Sequence, residues 1–164
     1  MGRCVPTVVL MCGLPGSGKS TYAQRYVDAG YARLSLDEAI WQRLDGRDAG
    51  RVLEPDEFDA LKVEVRLEQR RELADLMASG RDVVVDYTFW SRARRDDYKA
   101  LIEARGGQWR LVYLAADRDT LAQRIAARNA DVGANSVTLS PELFEQYLDR
   151  FEEPHGEGEE VVPA

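Results

Sequence analysis

A glycine-rich segment near the N-terminus has the residue types and the spacing that could bind a triphosphate. Residues 13–20 read GLPGSGKS and match the pattern G-x-x-x-x-G-K-[ST] at every fixed position. Glycines let backbone N–H groups converge on an anion, because no Cβ atom stands in the way. Lys19 would bring a positive charge to the β- and γ-phosphates, and the hydroxyl of Ser20 would bind Mg²⁺. The residues predicted to bind the nucleotide are Gly13, Leu14, Pro15, Gly16, Ser17, Gly18, Lys19, Ser20 and Thr21.

The elements predicted around this segment favour the same interpretation. Residues 5–12 are almost continuously apolar and rich in β-branched side chains, which is typical of a strand buried on both faces of a parallel sheet. A helix is predicted over residues 18–28, and its N-terminus would offer unpaired N–H donors and the positive end of a dipole. The alternative is a glycine-rich turn with a solvated lysine, which the strand–loop–helix context disfavours.

Two aspartates follow the next predicted strands. Asp37 comes after the strand candidate 31–36, and Asp86 ends the strand candidate 82–86. Both acids should face the phosphate-binding segment, because ligands of parallel α/β sheets lie beyond the carboxyl ends of the strands. Asp86 would hold Mg²⁺ together with Ser20, unless it is only a turn residue at a strand end. Asp37 could take a proton from a substrate hydroxyl, or it could act as the N-cap of the short helix that follows.

Two arginines in the second half of the chain could act on a transferring phosphoryl group. Arg124 and Arg128 are four residues apart on a helix predicted over residues 117–128, so they share one face. Guanidinium groups in that position could stabilise the charge of the group being transferred. The alternative is a solvated helix face whose arginines pair with nearby acids.

The segment after Asp86 adds a further basic cluster and aromatic rings. Basic residues at a helix N-terminus oppose the helix dipole, so an anionic partner is plausible, although a solvated surface is more common. The arginines that begin this predicted helix are Arg92, Arg94 and Arg95. Aromatic side chains could wall an acceptor pocket, or they could pack in ordinary core and rim positions. The aromatic candidates are Trp41, Phe89 and Trp90.

Strands and helices alternate along the whole chain. Further strands are predicted at 109–114 and, at the edge of the sheet, at 161–162. Further helices are predicted from Pro55 to just before Gly80, at 91–104 and at 140–152, and loops at 45–51 and 131–139. The alternation predicts an α/β fold with a mainly parallel sheet. We expect one domain over residues 1–153, followed by an acidic C-terminal tail, 154–164, that has room for a short edge strand.

Composition limits the classes of partner. The chain has 164 residues, 45% of them hydrophobic, which suffices for one compact core but not for two ordinary domains. A formal net charge of −7 disfavours a nucleic-acid partner, because no global basic field is present. Two cysteines imply no disulfide framework, which fits the cytoplasm, and no segment is long and apolar enough to span a membrane. The charged run 152–160 is expected to be solvated.

In these residues, the chain resembles the P-loop kinases that include polynucleotide 5′-hydroxyl kinases, chloramphenicol phosphotransferase and zeta-toxin-type enzymes. The segments that carry the resemblance are Gly13–Thr21, Leu36–Asp37, Val83–Thr88 and Arg124–Asn129. The resemblance implies a P-loop NTPase three-layer sandwich with about five strands, helices on both faces and a small arginine-bearing lid over residues 124–139. It also implies ATP as the donor, Asp37 as the general base and Thr88 as a polar residue near the acceptor.

One position departs from the pattern of the polynucleotide kinases. Those enzymes typically carry an arginine three residues after the catalytic acid, for a substrate phosphate, and Ile40 occupies that position here. Together with the acidic composition, this weakens the case for a nucleic-acid substrate. We therefore expect a kinase that transfers the γ-phosphoryl group of ATP–Mg²⁺ to a hydroxyl of a small molecule. A 5′-hydroxyl polynucleotide kinase and a non-enzymatic nucleotide-dependent switch or binding module remain alternatives.

Overall fold

A parallel sheet organises the computed structural model, which describes Gly2, residues 4–130 and residues 139–164. Five strands follow the order β2-β3-β1-β4-β5, and each adjacent pair is parallel. The strands are β1 (Thr7–Cys12), β2 (Ala32–Ser35), β3 (Val83–Asp86), β4 (Gln108–Ala115) and β5 (Glu159–Pro163). The helices are α1 (Lys19–Asp28), α2 (Leu36–Arg43), α3 (Ala49–Val52), α4 (Pro55–Ala78), α5 (Arg92–Ala104), α6 (Arg118–Asn129) and α7 (Pro141–Arg150). Within the described ranges, no helix has the length and the apolar character needed to cross a membrane.

Helices cover both faces of the sheet. Successive side chains of a strand point to opposite faces, so the continuous apolar run of β1 supplies two separate core clusters. Val8 and Leu10 pack in one cluster with residues of α4 and α5, whereas Val9 and Met11 pack in another with Ala23 of α1. All four of these β1 side chains are fully buried. The predicted three-layer α/β sandwich with a five-stranded parallel sheet is therefore confirmed.

Helix starts follow the capping signals of the sequence in most places. The hydroxyls of Ser91 and Ser140 accept hydrogen bonds from backbone N–H groups three residues later, at 3.2 Å in both cases. Pro55 occupies the first turn of α4, where its missing N–H costs nothing. Each cap satisfies a donor that would otherwise lack a partner at the helix end. One short helix was not predicted, since α3 lies partly in the segment expected to be a loop.

The start of α2 corrects one interpretation of Asp37. The hydroxyl of Ser35 accepts a hydrogen bond from the N–H of Glu38 at 3.3 Å, so Ser35 is the N-cap and Asp37 lies within the first turn. The alternative role of Asp37 as the N-cap is wrong. Ser35 is also held from the other side, because its carbonyl accepts a hydrogen bond from the Gln69 amide at 3.0 Å. The first turn of α2 is thus fixed between β2 and α4.

A buried ion pair ties the C-terminal segment to α5. Arg95 donates from Nε and Nη2 to both carboxylate oxygens of Glu157, at 2.9 Å each, and the two side chains are 0% and 2% exposed. A further nitrogen of Arg95 donates to the Phe89 carbonyl at 2.8 Å. The expectation that the run 152–160 is solvated fails at Glu157, and Arg95 is not a surface residue. A guanidinium matches a carboxylate bidentately, which allows both charges to be buried together.

Replacing Glu157 by glutamine is expected to destabilise the protein by about 3–5 kcal/mol, because a buried guanidinium loses its counter-charge. Chemical denaturation at neutral pH measures the change. The hydrogen bonds from Arg95 lower the pKa of Glu157. The contribution of this pair is therefore present above the pKa of Glu157 in the unfolded chain, and it is lost as the pH falls through the lower pKa of the folded protein.

The exposed pair of Arg110 and Glu160 provides the control for this experiment. It has similar bidentate geometry, but its side chains are 44% and 47% exposed. Glu160→Gln should cost about 1 kcal/mol or less. Equal losses for the two variants would show that burial does not set the strength of the Arg95–Glu157 pair.

Candidate active site

An open cleft lies at the carboxyl ends of the central strands. Its volume is about 1000 Å³. It is bordered by the glycine-rich segment, by the first turn of α2, by one face of α4, by the segment after β3 and by α6. The cleft brings together most of the residues that the sequence predicts for the site. The predicted residues that line it are Pro15, Gly16, Ser17, Gly18, Lys19, Ser20, Thr21, Asp37, Asp86, Thr88, Phe89, Arg124 and Arg128.

The glycine-rich segment turns tightly between β1 and α1. Gly16 and Gly18 have φ values of 85° and 89°, in the left-handed region that favours glycine. A Cβ atom on Gly13 would lie 2.7 Å from the Ser17 hydroxyl, so the backbone also passes too close for a side chain there. Gly18 is the N-cap of α1 and provides no side-chain cap, so the first N–H groups of this helix keep no capping partner. This arrangement suits an anion at the helix N-terminus.

Lys19 places an ammonium group beside the glycine-rich segment, at the N-terminus of α1. Its Nζ donates to the Leu14 carbonyl at 3.1 Å, which holds the side chain folded over the segment. Burial lowers the pKa of Lys19, while the carboxylates of Asp86 and Asp37 act in the opposite direction. A phosphate group would supply the negative charge that favours the protonated amine. Gly13 and Leu14 shape this turn but do not line the cleft.

Ser20 and Asp86 form a compact set of oxygen atoms at the end of β3. The Ser20 hydroxyl donates to Oδ2 of Asp86 at 3.0 Å, and Nη2 of Arg33 donates to the same oxygen at 2.6 Å. The side chain of Asp86 is only 3% exposed, so this ion pair fixes its orientation. Hydroxyl and carboxylate oxygens are ligands that Mg²⁺ accepts. The described part of the chain contains no cluster of three or more His, Cys, Asp or Glu side chains suited to a metal. A magnesium ion here would thus share its coordination with phosphate and water.

Asp37 faces the cleft from the first turn of α2. Its side chain is exposed to the cleft, but the walls of the cleft take the place of part of the water that would surround a free carboxyl group. Loss of water raises the pKa of Asp37, whereas the charge of Lys19 lowers it; the nearby carboxylate of Asp86 raises it further. The carboxyl is therefore close to both the ammonium of Lys19 and the carboxylate of Asp86. Because Ser35 caps α2, Asp37 is not engaged as a cap.

The arginines of α6 reach the cleft from the opposite wall. Nη1 of Arg124 donates to the Gly16 carbonyl at 3.2 Å, which ties α6 to the glycine-rich segment. The positive charge of Arg128 lowers the pKa of both Lys19 and Asp37. Leu121 and Ile125 anchor the other face of α6 in the core. Of the lid expected over residues 124–139, positions 131–138 lie outside the described residues.

The predicted acceptor residues are placed unequally. Thr88 lines the cleft, and its carbonyl accepts a hydrogen bond from the N–H of Gly13 at 3.1 Å. Phe89 borders the cleft but is 1% exposed, and its ring packs edge-on against Tyr98 with centroids 5.0 Å apart. Trp41 does not line the cleft; its indole packs beside the Gly46 turn. Of Thr88, Phe89 and Trp41, Thr88 alone lines the cleft with a side chain that is not buried.

Several cleft residues were missed by the sequence analysis. Phe58, Lys62 and Arg66 all line the cleft and are four residues apart along α4, so they form one stripe. The four-residue spacing was visible in the sequence, but nothing local indicated that this face of α4 turns towards the cleft. Arg33 was missed as the partner of Asp86 because the two residues are distant in sequence and adjacent only across the β2–β3 pair.

Proteins of known structure with a similar fold include P-loop kinases. A gluconokinase from Sinorhizobium meliloti 1021 has 25% identity and a TM-score of 0.59, over 99% of this chain and 84% of that chain. A Chloroflexus aurantiacus protein provisionally assigned as a kinase has 18% identity and a TM-score of 0.76, over 99% of this chain and 86% of that chain. A chain of the Pnkp1/Rnl/Hen1 RNA repair complex has 16% identity and a TM-score of 0.70, over 91% of this chain but only 45% of that chain.

A family model agrees with these similarities in fold. A search of curated proteins gave no match. The model of an AAA domain, AAA_33, matches residues 8–154, from β1 to the segment beyond α7. The matched range contains the glycine-rich segment, both aspartates and the arginines of α6. The predicted resemblance to P-loop kinases is confirmed, and the chain belongs to the AAA_33 family of AAA domains.

Proposed function

We propose that this protein is an ATP-dependent kinase that transfers the γ-phosphoryl group to a hydroxyl of a small molecule. One observation carries the proposal: the carboxyl of Asp37, which does not cap α2, lies in one cleft with the ammonium of Lys19 and the carboxylate of Asp86. A protein that only binds a nucleotide has no use for a further carboxylate at this point, whereas transfer to a hydroxyl uses one to accept the proton. The kinase fold of the structural neighbours supports the same reaction class.

The reaction follows from the groups that face the cleft. Asp37 would accept the proton of the acceptor hydroxyl as its oxygen forms a bond to the γ-phosphorus, and the bond from that phosphorus to the bridging oxygen of ADP would break. Lys19, Arg124 and Arg128 would neutralise charge on the phosphoryl oxygens. Ser20 and Asp86 would hold Mg²⁺, which supplies further positive charge when bound. Backbone N–H groups of the glycine-rich segment would orient the triphosphate.

The acceptor is proposed to be a small molecule because of both composition and site. Gluconokinase and a sugar kinase from Janibacter sp. HTCC2649 are among the structural neighbours. The net charge of −7 and Ile40 in place of a basic residue argue against a nucleic-acid acceptor. A polynucleotide kinase is the second candidate, favoured by the similarity in fold to the RNA repair complex.

Cys4 and Cys12 are free thiols, which suits the cytoplasm as the proposed compartment.

A screen for ADP release with radiolabelled ATP and Mg²⁺ tests the proposal. The panel contains sugars, sugar acids including gluconate, nucleosides, polyols and an oligonucleotide with a free 5′-hydroxyl. We expect at least one small hydroxyl compound to raise ADP release above the blank and to carry the label. Label on the oligonucleotide alone, with strong salt dependence, would select the second candidate. Tight ATP binding without a labelled product on any acceptor would favour a nucleotide-dependent switch.

A further inference from the structure

Three cationic side chains line the end of the cleft beyond Asp37. Lys62 and Arg66 lie one turn apart on α4, about 6 Å along the helix axis, and Arg94 approaches from the first turn of α5. The positive charge of Lys62 lowers the pKa of Asp37, so the row of three cations starts next to the proposed base. None of the three belongs to the residues assigned to the nucleotide or to Mg²⁺. We call these residues the cationic end of the cleft.

Two members of this cationic end have no carboxylate partner. Among the described residues, neither Arg66 nor Arg94 forms an ion pair or a side-chain hydrogen bond with an acid, and Nε of Arg66 is buried without any hydrogen-bond partner. The nearest acid of α5, Asp97, is instead bound by Arg70 at 2.7 and 3.2 Å. A buried guanidinium N–H without an acceptor is costly, so its retention calls for a functional reason.

The two guanidinium groups also repel each other. Both side chains line the same cleft, and burial followed by the charge of Arg66 lowers the pKa of Arg94. Several other basic side chains of the described helices do pair with acids, as Arg43 does with Glu64 and Glu68, and Arg70 with Asp97. An anion bound between Arg66 and Arg94 would neutralise this repulsion and give their N–H groups that face the cleft a charged acceptor.

An aromatic wall completes this end of the cleft. Trp90 lines the cleft, and the guanidinium of Arg94 lies over its ring at 5.9 Å from the centroid. Phe58 borders the cleft one turn before Lys62, whose ammonium lies 4.6 Å from the Phe58 centroid. Lys62 is partly engaged by Asp59 at 2.7 Å, so it is a weaker anion ligand than the two arginines. Apolar walls with a few convergent charges are typical of a small-molecule site.

We infer that the acceptor carries a negatively charged group, a carboxylate or a phosphate, which Arg66 and Arg94 bind while its hydroxyl reaches Asp37. This inference rests on the proposed kinase function and adds the class of acceptor. Two guanidinium groups can bind the oxygens of one carboxylate or phosphate through several N–H donors, which fixes orientation as well as charge. Neutral polyols and unmodified sugars would leave these donors without partners and would bind weakly.

The test measures binding of matched acid and neutral compounds to the protein loaded with a non-hydrolysable ATP analogue and Mg²⁺, so that the γ-phosphate position is filled and added anions do not bind there. Calorimetry measures the titration, and tryptophan fluorescence, to which Trp90 contributes together with Trp41 and Trp109, provides a second readout. The pairs are ribonate with ribitol, and ribose 5-phosphate with ribose; they separate a carboxylate from a phosphate preference. We expect at least one acid to bind about tenfold more tightly than its neutral partner.

Charge variants of the arginines complete the test. Arg66→Gln and Arg94→Gln should each weaken the preferred acid about tenfold or more, whereas Arg71→Gln removes the same charge from an exposed position of α4 outside the cleft and should change nothing. Equal binding of acid and neutral compounds, or equal effects of the three variants, would overturn the inference. ADP release with a neutral acceptor that is insensitive to both cleft variants would overturn it while leaving the kinase proposal intact. Arginine-dependent binding of an acid without any phosphoryl transfer would retain the anion site and reject the kinase.

Discussion

Replacing Lys19 by alanine is expected to weaken ATP binding about tenfold to a hundredfold and to reduce phosphoryl transfer by about a thousandfold or more. The ammonium group lies over the glycine-rich segment and is directed at the place where the terminal phosphates would bind. It would contact the γ-phosphoryl oxygens both before and during transfer, so binding and turnover should fall together. Calorimetry with ATP and Mg²⁺ measures the first effect, and ADP release with the acceptor found by the screen measures the second.

The variant should remain folded. Lys19 lines the cleft, and its ammonium group donates a hydrogen bond to the Leu14 carbonyl, so removal of the side chain should change the melting temperature little. Arg105→Ala removes one positive charge from an exposed position outside the cleft and serves as the control. If Lys19→Ala bound ATP as tightly as the Arg105→Ala protein does, the glycine-rich segment would not be the phosphate site.

Local signals explain why much of the fold could be predicted. The apolar runs of β1 and β3 have few alternatives to burial in a parallel sheet, and Ser91, Ser140 and Pro55 mark helix starts by chemistry within a few residues. The glycine-rich segment is likewise a local pattern, since its glycines, its lysine and its serine are adjacent in sequence. Predictions from such signals require no knowledge of how distant segments meet.

Contacts between distant segments account for what could not be predicted. The pair of Arg95 and Glu157 joins residues 62 positions apart, and the sequence gives no reason to separate them from the surface charges around them. Lys62 and Arg66 became cleft residues only because α4 packs with that face beside Asp37. Trp41 shows the opposite error: it follows Asp37 by one helical turn, but its ring packs beside the Gly46 turn and does not line the cleft.

Replacing Asp37 by asparagine is expected to lower kcat between about a hundredfold and ten thousandfold, the range typical of a general base, while ATP binding stays unchanged. Asparagine keeps the size of the side chain and can orient a hydroxyl, but it cannot accept the proton. Because Ser35 caps α2, the substitution should not unfold this helix. Single-turnover kinetics with saturating nucleotide separates the transfer step from binding.

The pH dependence distinguishes a proton acceptor from a residue that merely binds the acceptor. Loss of water raises the pKa of Asp37 above its ordinary value of 3.8, so transfer by the native protein should fall on the acidic side at a pH above that value. The residual activity of Asp37→Asn should lack this acidic decline. Asp45→Asn, which removes an exposed carboxylate just beyond α2 at a backbone conformation that asparagine tolerates, should keep both the rate and the pH profile. An Asp37→Asn protein with the native rate would remove the base from the proposed reaction, and transfer would then depend on the orientation and charge supplied by Lys19 and the arginines alone.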